Sequence, residues 1–161
     1  MAAKNDFLID AVRASYLANI TKQNAQQKID LALSGGCDSM VLMHALNQLK
    51  DELNLSIKAH YIHHGLSANA DDWLTFCRAA CEKLNITFDS KSVDTQSLPR
   101  LGVEGAARKL RYEALAKVSD GVIVTAHHEN DQAETLLLQL IRGAGLKGLA
   151  AMPEYDKEKN L

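Results

Sequence analysis

The sequence predicts an α/β fold, in which a parallel β-sheet carries helices on both faces. Strand-like and helix-like segments alternate four times along the chain, and parallel strands need crossover connections of this kind. The last strand-like run, "GVIVTA" at 121–126, is apolar, as in strands that are buried on both faces. A length of 161 residues, with 47% hydrophobic and 24% charged residues, suits one globular domain with a sizeable core.

Each element follows from the spacing of its apolar residues. The strand-like runs, such as "KIDLAL" and "LSIKAHYI", are short and apolar, whereas the helices place apolar residues three and four positions apart. The predicted elements are, in chain order, a helix at 6–24, a strand at 28–33, a helix at 38–50, a strand at 55–62, a helix at 69–84, a strand at 86–93, a loop at 94–103 around Pro99, a helix at 104–118, a strand at 121–126 and a helix at 130–142. The predicted apolar faces are Leu42, Ala45, Leu46 and Leu49, then Val103, Ala107, Leu110 and Ala114, then Ala133, Leu136, Leu137 and Leu140.

These elements form one predicted domain, residues 1–152. The polar tail at 153–161 adds no closing element, so we expect it to be a linker or a truncated end. The chain is then expected to be the N-terminal portion of a longer protein.

Composition argues against several classes of function. A net charge of −2 gives no global basic field for nucleic acid, and 5% aromatic residues leave little for extended base stacking. Contacts with a polyanion would therefore be local. No signal-peptide pattern and no apolar run of membrane length is present, which predicts a cytoplasmic protein with no membrane partner.

Three cysteines, Cys37, Cys77 and Cys81, are odd in number and irregularly spaced. This pattern indicates a reducing compartment rather than a disulfide framework. Cys77 and Cys81 lie four apart and share a helix face. We expect two small, half-buried helix residues there, because a metal site needs more ligands at a recognisable spacing.

The loop "SGGCDS" at 34–39 follows a strand and precedes a helix. Gly35 and Gly36 let the backbone approach a ligand closely, and the following helix contributes N–H groups and a positive dipole end. Ser34 and Ser39 add hydroxyl groups. These are the parts of a phosphate cradle, and Asp38 suits such a site if Mg²⁺ lies between it and the phosphate. The alternative is a simple turn in which Asp38 or Ser39 caps the helix.

Two sequence motifs need separate treatment. The loop lacks the G-x-x-x-x-G-K-[ST] pattern of a Walker loop. "GAGLKG" at 143–148 matches G-x-G-x-x-G, but it follows a helix rather than a strand, which predicts a helix stop and a loop.

Polar residues also follow the last strand, in "HHENDQ" at 127–132. Because the carboxyl ends of parallel strands share one edge, this segment is expected to meet the glycine–serine loop there. His128 and Asp131 could offset charge that develops in a reaction, and Asp131 could bind a metal ion. The alternative is that the acidic residues only complement a helix dipole.

Two further groups carry weaker predictions. His60, His63 and His64 end the second strand, where buried histidines with satisfied hydrogen bonds are the simpler interpretation. Arg108 and Arg111 lie three apart and share a helix face, and they suit either contact with phosphate or nucleic acid or an ordinary surface pair with Glu104. Arg142 and Lys147 could also contact nucleic acid.

The loop "SGGCDS" resembles that of the PP-loop ATP pyrophosphatases, whose fold is Rossmann-like and of the adenine nucleotide alpha hydrolase type. Three other segments resemble the tRNA(Ile)-lysidine synthase family in order and spacing. They are "HYIHHGLSANADDW" at 60–73, "GVEGAARKLRYEAL" at 102–115 and "TAHHENDQAETLLLQLIRGAGLKGLAAM" at 125–152. The resemblance extends over residues 28–152.

The resemblance implies a ligase that uses ATP and Mg²⁺. ATP adenylates the C2 oxygen of the wobble cytidine in a tRNA(Ile) with a CAU anticodon, and the ε-amine of free L-lysine then displaces AMP to form lysidine. It implies an ATP site at Ser34, Gly35, Gly36, Cys37, Asp38 and Ser39, catalytic roles for Asp38, His128 and Asp131, and Mg²⁺ at Asp38 and Asp131. It further implies substrate or tRNA contacts at His64, Gly65, Arg108, Arg111 and Arg142. Relatives commonly have an aspartate at the position of Asn130, which favours Asp131 as the metal ligand.

Two alternatives remain open. The first is another PP-loop adenylating enzyme, such as a tRNA thiolase or a small-metabolite synthetase. The second is a module that binds ATP without turnover, against which the "HHENDQAET" cluster argues.

Overall fold

A computed structural model gives the fold and describes residues 3–20, 27–94, 102–127, 129–141 and 143. The elements, in chain order, are α1 (Ala3–Asn19), β1 (Gln27–Ala32), α2 (Cys37–Leu49), β2 (Leu55–His63), α3 (Ala70–Lys83), β3 (Thr87–Ser92), α4 (Gly102–Val118), β4 (Val122–Val124) and α5 (Glu129–Ile141). The predicted alternation of strands and helices is therefore confirmed. Residues 21–24 of the first predicted helix and residues 95–101 of the predicted loop at 94–103 lie outside the described residues.

The four described strands form one parallel sheet in the order β3–β2–β1–β4. The chain moves outward from β1 to β3 and then returns to the other side of β1, so the strand order reverses between β1 and β4. In open α/β sheets, ligands bind outside the carboxyl ends of the strands at such a reversal. The predicted fold class is confirmed, and its switch point lies beside the "SGGCDS" loop.

Two apolar clusters cover the two faces of the sheet. The larger cluster packs β1 and β2 against α1, α2 and α3, with Leu31, Met43 and Cys77 completely buried. The smaller cluster packs the opposite face against α4 through Ile62, Leu115 and Ile123. Helices on both faces explain why the central strands can be apolar on both sides.

One buried carboxylate connects three parts of the fold. Asp30, in the middle of β1, is 1% exposed, and its Oδ1 lies 2.5 Å from Nε2 of His60 on β2, which is 2% exposed. Its Oδ2 accepts hydrogen bonds from the Ser119 hydroxyl at 2.8 Å and from the backbone N–H groups of Asp120 at 3.1 Å and Gly121 at 2.8 Å. Because an ionised carboxylate only accepts, His60 donates to it. Asp30 thus joins β1, β2 and the turn before β4.

The pKa of Asp30 reflects this balance. Burial alone would raise the pKa of the carboxyl, but the hydrogen bonds from His60, Ser119 and Gly121 outweigh burial and lower it below its ordinary value of 3.8. A lowered pKa stabilises the fold above the ordinary value, and this stability is lost as the pH falls through the lowered pKa. The turn before β4 can approach β1 this closely only with glycine at position 121, because a Cβ there would lie 2.2 Å from the carbonyl oxygen of Lys28.

Several predicted details are corrected. β4 is shorter than predicted, at Val122–Val124, because Thr125 and Ala126 already belong to the loop at the sheet edge. The predicted apolar face of α5 is not buried, since Leu137 is 58% and Leu140 is 53% exposed and no described element covers them. Cys77 and Cys81 are fully buried rather than half-buried, because α3 packs directly on the core.

The structure gives a physical account of both buried cysteines. Burial raises the pKa of Cys77 and of Cys81 to about 11. The Sγ of Cys81 lies 3.7 Å from the Sδ of Met43 on α2. Both thiols are therefore protonated packing groups.

Among the described residues, no helix combines the length and the apolar content that crossing a membrane would require.

The Asp30–His60 pair predicts strong coupling between the two side chains. Asp30→Leu and His60→Leu should each lower the free energy of unfolding by about 3 kcal/mol, since each leaves a buried polar partner unpaired. The double variant should lose less than the sum of the two single losses, with a coupling of about 1–3 kcal/mol. Urea unfolding of the four proteins at neutral pH measures the cycle.

The exposed ion pair between Lys28 and Asp120 is the control, because it also starts from β1, joins that strand to the turn before β4 and has both side chains more than half exposed. Lys28→Ala should cost less than about 1 kcal/mol. Strictly additive losses for Asp30 and His60 would contradict the coupling.

Candidate functional site

The loop from Ser34 to Ser39 is held in shape by its own serines. The backbone N–H of Ser34 donates to the Oγ of Ser39 at 3.3 Å, and the hydroxyl of Ser39 donates to the carbonyl of Gly36 at 2.9 Å. The N–H of Gly36 donates to the Oγ of Ser34 at 3.3 Å, and the two hydroxyl oxygens lie 3.1 Å apart. Ser39 is buried, so its hydroxyl shapes the loop from within.

The capping alternative for this loop is wrong. Gly36 is the N-cap of α2, and no side chain caps the helix at that position. Cys37 and Asp38 lie inside the first turn, and both are exposed. A helix N-terminus without a side-chain cap presents N–H groups and the positive end of the dipole, which suits an anion.

Gly35 is required for two separate reasons. Its φ of +83° lies in the left-handed region that side chains disfavour. A Cβ would also lie 3.2 Å from the Sγ of buried Cys77 and 3.7 Å from the Cβ of Trp73. The loop therefore rests directly on α3, and this contact fixes its height above the sheet.

A cavity of about 300 Å³ opens on one side of the loop, between β2, α3 and α4. Polar groups at its wall include Ser34, His64 and Arg111, and the loop glycines form one edge. Its remaining lining residues are Ala32, Leu33, His60, Tyr61, Ile62, Trp73 and Leu115. An apolar cavity with a few convergent polar groups is typical of a small-molecule site.

His64 presents an unsatisfied nitrogen in this cavity. Its Nδ1 is buried and has no hydrogen-bond partner within the described part of the chain. Burial lowers the pKa of His64 below its ordinary value of 6.5, and the positive charges of Arg111 and His63 lower it further. The imidazole is thus neutral at neutral pH, and a ligand in the cavity could satisfy its free nitrogen.

A second groove, of about 430 Å³, opens on the other side of the loop, between α1, α2 and β4. Asp38 and His127 both line it, together with Thr125 and Ala126. The Nδ1 of His127 lies 2.8 Å from the hydroxyl oxygen of Thr125. The predicted meeting of the "SGGCDS" loop and the segment after β4 is therefore confirmed for Asp38 and His127.

Other predicted residues have different positions. Asn130 and Asp131 lie in the first turn of α5, where Asp131 is partly buried and Asn130 is exposed. His128, Arg142 and Lys147 lie outside the described residues. Gly65 is exposed and has a φ of +67° in the turn after β2. Gly143 has a φ of +67° and donates to the carbonyl of Leu140, as the predicted helix stop requires.

The arginines on α4 divide between surface and cavity. The guanidinium carbons of Arg108 and Arg111 lie 5.3 Å and 5.5 Å from the ring centroid of Tyr112, so both contact one aromatic face. Arg111 also lines the cavity, whereas Arg108 is not among the described residues that do. The two arginines share a helix face, as predicted, but only Arg111 is shown at the cavity.

The histidines that end β2 also separate. His60 is a buried histidine bound to Asp30, as the simpler interpretation held. The Nε2 of His63 lies 3.2 Å from the Oδ1 of Asp71 at the surface. His64 alone combines a cavity position with an unsatisfied nitrogen.

The carboxylates near the loop limit how a metal ion could bind. Within the described residues, no group of three His, Cys, Asp or Glu side chains could hold a metal ion. Mg²⁺ commonly binds one or two carboxylates together with substrate phosphates. Asp38 lines the groove at β4 and suits that mode of binding, in which the nucleotide supplies the other ligands, whereas Asp131 in α5 is not among the described residues that line the groove.

Sequence reasoning missed two residues of the site. Asp30, a lone carboxylate in an apolar strand, was a signal for a buried polar partner, and that partner is His60 at the cavity floor. Trp73 is the only tryptophan of the chain, and it lines the cavity next to Gly35. Its position on the core-facing side of α3 is visible only in the fold.

The sequence of this chain is similar to those of known proteins. A family profile described as a PP-loop domain matches residues 10–161. The tRNA(Ile)-lysidine synthase of Coxiella burnetii is 44% identical over 140 residues, which are 86% of this chain and 31% of that protein. The enzyme of the same name from Histophilus somni is 48% identical over 128 residues, which are 78% of this chain and 30% of that protein. The chain thus spans about three tenths of the length of these relatives.

Among solved structures, this chain is similar to the U34-tRNA thiolase NcsA from Methanococcus maripaludis, determined with its [4Fe-4S] cluster. The TM-score is 0.68 at 18% identity, over 90% of this chain and 54% of that one. At this identity the likeness concerns the fold alone.

The contact of Gly35 with α3 predicts a specific stability cost. Gly35→Ala should lower the free energy of unfolding by about 1–2 kcal/mol for the left-handed backbone alone, and more for the contact with Cys77. Gly36→Ala is the matched control, because Gly36 has a φ of −70° and the nearest atom to a Cβ is the Ser34 Oγ at 3.4 Å. Equal costs in urea unfolding would contradict this account.

The charges around His64 predict a measurable titration. In wild type, an NMR titration of the imidazole should give a pKa for His64 below its ordinary value of 6.5. Arg111→Ala should raise the pKa of His64, because a nearby positive charge is removed. Arg108→Ala, one turn earlier, should raise it less. An unchanged His64 pKa in Arg111→Ala would show that Arg111 does not act on the cavity.

Proposed function

Because this chain belongs to the PP-loop domain family, we propose that it is the catalytic domain of a tRNA(Ile)-lysidine synthase, a ligase that uses ATP. The C2 oxygen of the wobble cytidine attacks the α-phosphate of ATP, forms an O–P bond and releases pyrophosphate. The ε-amine of lysine then attacks C2, a C–N bond forms, and AMP leaves with the oxygen. The relatives that carry this name are 42–48% identical to the chain.

One observation carries the proposal, namely that the glycine–serine loop separates two differently built spaces. The cavity on the β2 side combines apolar walls at Ile62 and Leu115 with polar groups at Ser34, His64 and Arg111, and it suits the adenosine of ATP. The groove on the β4 side holds Asp38 and His127 and suits the reacting groups. A nucleotide whose phosphates lie over the loop would then present its α-phosphate between the two spaces.

Within this arrangement, the loop binds phosphate through backbone N–H groups. Ser34, Gly35, Gly36, Cys37 and Asp38 form the cradle, and Ser39 holds its shape. Asp38 and Asp131 would bind Mg²⁺, which neutralises phosphate charge when it is present. His128 is proposed to donate a hydrogen bond where negative charge develops on the C2 oxygen or the α-phosphate.

The remaining predicted residues are proposed to contact the substrates. Arg111 faces the cavity and could bind a phosphate of ATP as a fixed guanidinium. His64, which lines the cavity, is proposed to bind ATP. Gly65, Arg108 and Arg142 are proposed to contact a tRNA(Ile) with a CAU anticodon.

This proposal places residues 1–152 in the catalytic domain, with 153–161 as a linker. The balance of 18 basic and 20 acidic residues leaves few local contacts for a large polyanion. Firm tRNA binding is therefore proposed to depend on segments outside residues 1–161. A cytoplasmic location follows from the tRNA substrate.

Another PP-loop chemistry, tRNA thiolation, is the principal alternative. It would need a reactive sulfur or a cluster, and two of the three cysteines are buried thiols whose pKa is raised to about 11. A thiolase would release pyrophosphate with tRNA and a sulfur donor, whereas the proposed ligase needs lysine. A module that only binds ATP would release none.

The predicted reaction is tested by pyrophosphate release from the full-length protein that contains this chain. Release should require an isoleucine tRNA with a CAU anticodon and L-lysine together. Asp131→Asn and His128→Ala should each lower the rate by roughly a hundredfold, since a lost contact to developing charge is worth about 3 kcal/mol. Asp71→Asn is a surface control, because this side chain is 91% exposed and its Oδ1 lies 3.2 Å from the Nε2 of His63.

Near-normal rates in both variants would return the cluster after β4 to the role of helix-dipole partners. Release that depends on a sulfur donor instead of lysine would favour thiolation. ATP binding without release under any condition would support the binding module.

A further inference from the structure

Trp73 is a large aromatic side chain that remains open on an otherwise buried helix face. It lies four residues before Cys77 and eight before Cys81, so the three share one face of α3. Both cysteines are 0% exposed, whereas Trp73 is 45% exposed. The difference arises because the cavity beside the loop lies over this end of the helix, and Trp73 lines it.

The position of Trp73 is fixed from two directions. The loop backbone lies against it, since a Cβ on Gly35 would be 3.7 Å from its Cβ and 3.9 Å from its Cγ. The start of α3 is anchored to β2, because the hydroxyl of Tyr61 donates to the carbonyl of Ala70 at 3.1 Å. The residue therefore stands on a rigid element directly beside the proposed phosphate cradle.

The chemistry of the cavity suits a planar ring. Ile62 and Leu115 give it apolar walls, while its polar groups gather at the loop and at His64 and Arg111. An exposed indole in such a cavity leaves a wide apolar surface in contact with water. A nucleobase would cover that surface by stacking, which is favourable for every base because each has a π face.

We propose that the indole of Trp73 is the stacking surface for the adenine base of ATP. The inference rests on the proposed function, since it assumes that ATP occupies this cavity with its phosphates on the loop. The side chain acts by binding and takes no part in bond making. It gives the base a fixed distance from the cradle, because the gap between Gly35 and Trp73 is so narrow that a Cβ on Gly35 would lie 3.7 Å from the Cβ of Trp73.

The chain offers a direct readout, because Trp73 is its only tryptophan. Titration of the chain with ATP should change the tryptophan emission, whereas tripolyphosphate, which has the phosphates but no base, should change it far less. Trp73→Leu should weaken ATP binding about tenfold, the loss expected for one stacked base. Binding of tripolyphosphate, measured by calorimetry, should stay the same in this variant.

Phe76 provides the matched control. It lies on the same helix and is 53% exposed, but it is not among the described residues that line the cavity. Phe76→Leu should leave ATP affinity unchanged. Trp73→Tyr should restore most of the affinity, and thermal unfolding of each variant checks that the fold is intact.

The outcomes separate this inference from the proposed function. ATP binding of equal strength in wild type and Trp73→Leu, with unchanged emission in wild type, would overturn the stacking role and leave the ATP site in place. Failure of wild type to bind ATP would overturn both. An emission change with an anticodon-loop RNA but not with ATP would assign Trp73 to a tRNA base and overturn the proposal as stated.

Discussion

The carboxylate of Asp30 is the interaction on which the geometry of this fold depends. It is 1% exposed and accepts hydrogen bonds from His60, Ser119, Asp120 and Gly121. A buried charge is tolerated only when its partners are in place. The carboxylate therefore fixes the turn before β4 relative to β1 and β2. Those three strands carry, at their carboxyl ends, the described loops that border the candidate site.

The apolar core supports the glycine–serine loop of the site by direct contact. Cys77 is part of the apolar cluster on one face of the sheet, and its Sγ would lie 3.2 Å from a Cβ at Gly35. The cradle is thus supported by a close-packed core, and close-packed cores resist displacement. Trp73 lies on the same face of α3 and lines the cavity. One face of α3 therefore packs on the core through its cysteines and provides the proposed base contact through Trp73.

The two spaces beside the loop suit different reactants of the proposed reaction. The cavity on the β2 side contains His64, whose lowered pKa favours the neutral imidazole, and Arg111, and these suit a nucleoside and its phosphates. The groove at β4 contains a carboxylate and a histidine close to where a second substrate would arrive. An activation step needs both reactants at the same phosphate, and the reversal of strand order between β1 and β4 provides that meeting point.

The sequence by itself determined the order of strands and helices, the fold class and the placement of the glycine–serine loop, because these depend on local periodicity and on residues with special backbone freedom. It also indicated Asp38 and the segment after β4 as neighbours, since parallel strands end at one edge. Only the tertiary structure decided that Asp30 pairs with His60, that Gly36 is the N-cap of α2, that Arg111 rather than Arg108 lines the cavity and that Trp73 stands beside Gly35. It also decided that the leucine face of α5 is uncovered by any described element. Apart from the N-cap, these facts depend on residues that lie far apart in the chain, and neither periodicity nor spacing carries information about such contacts.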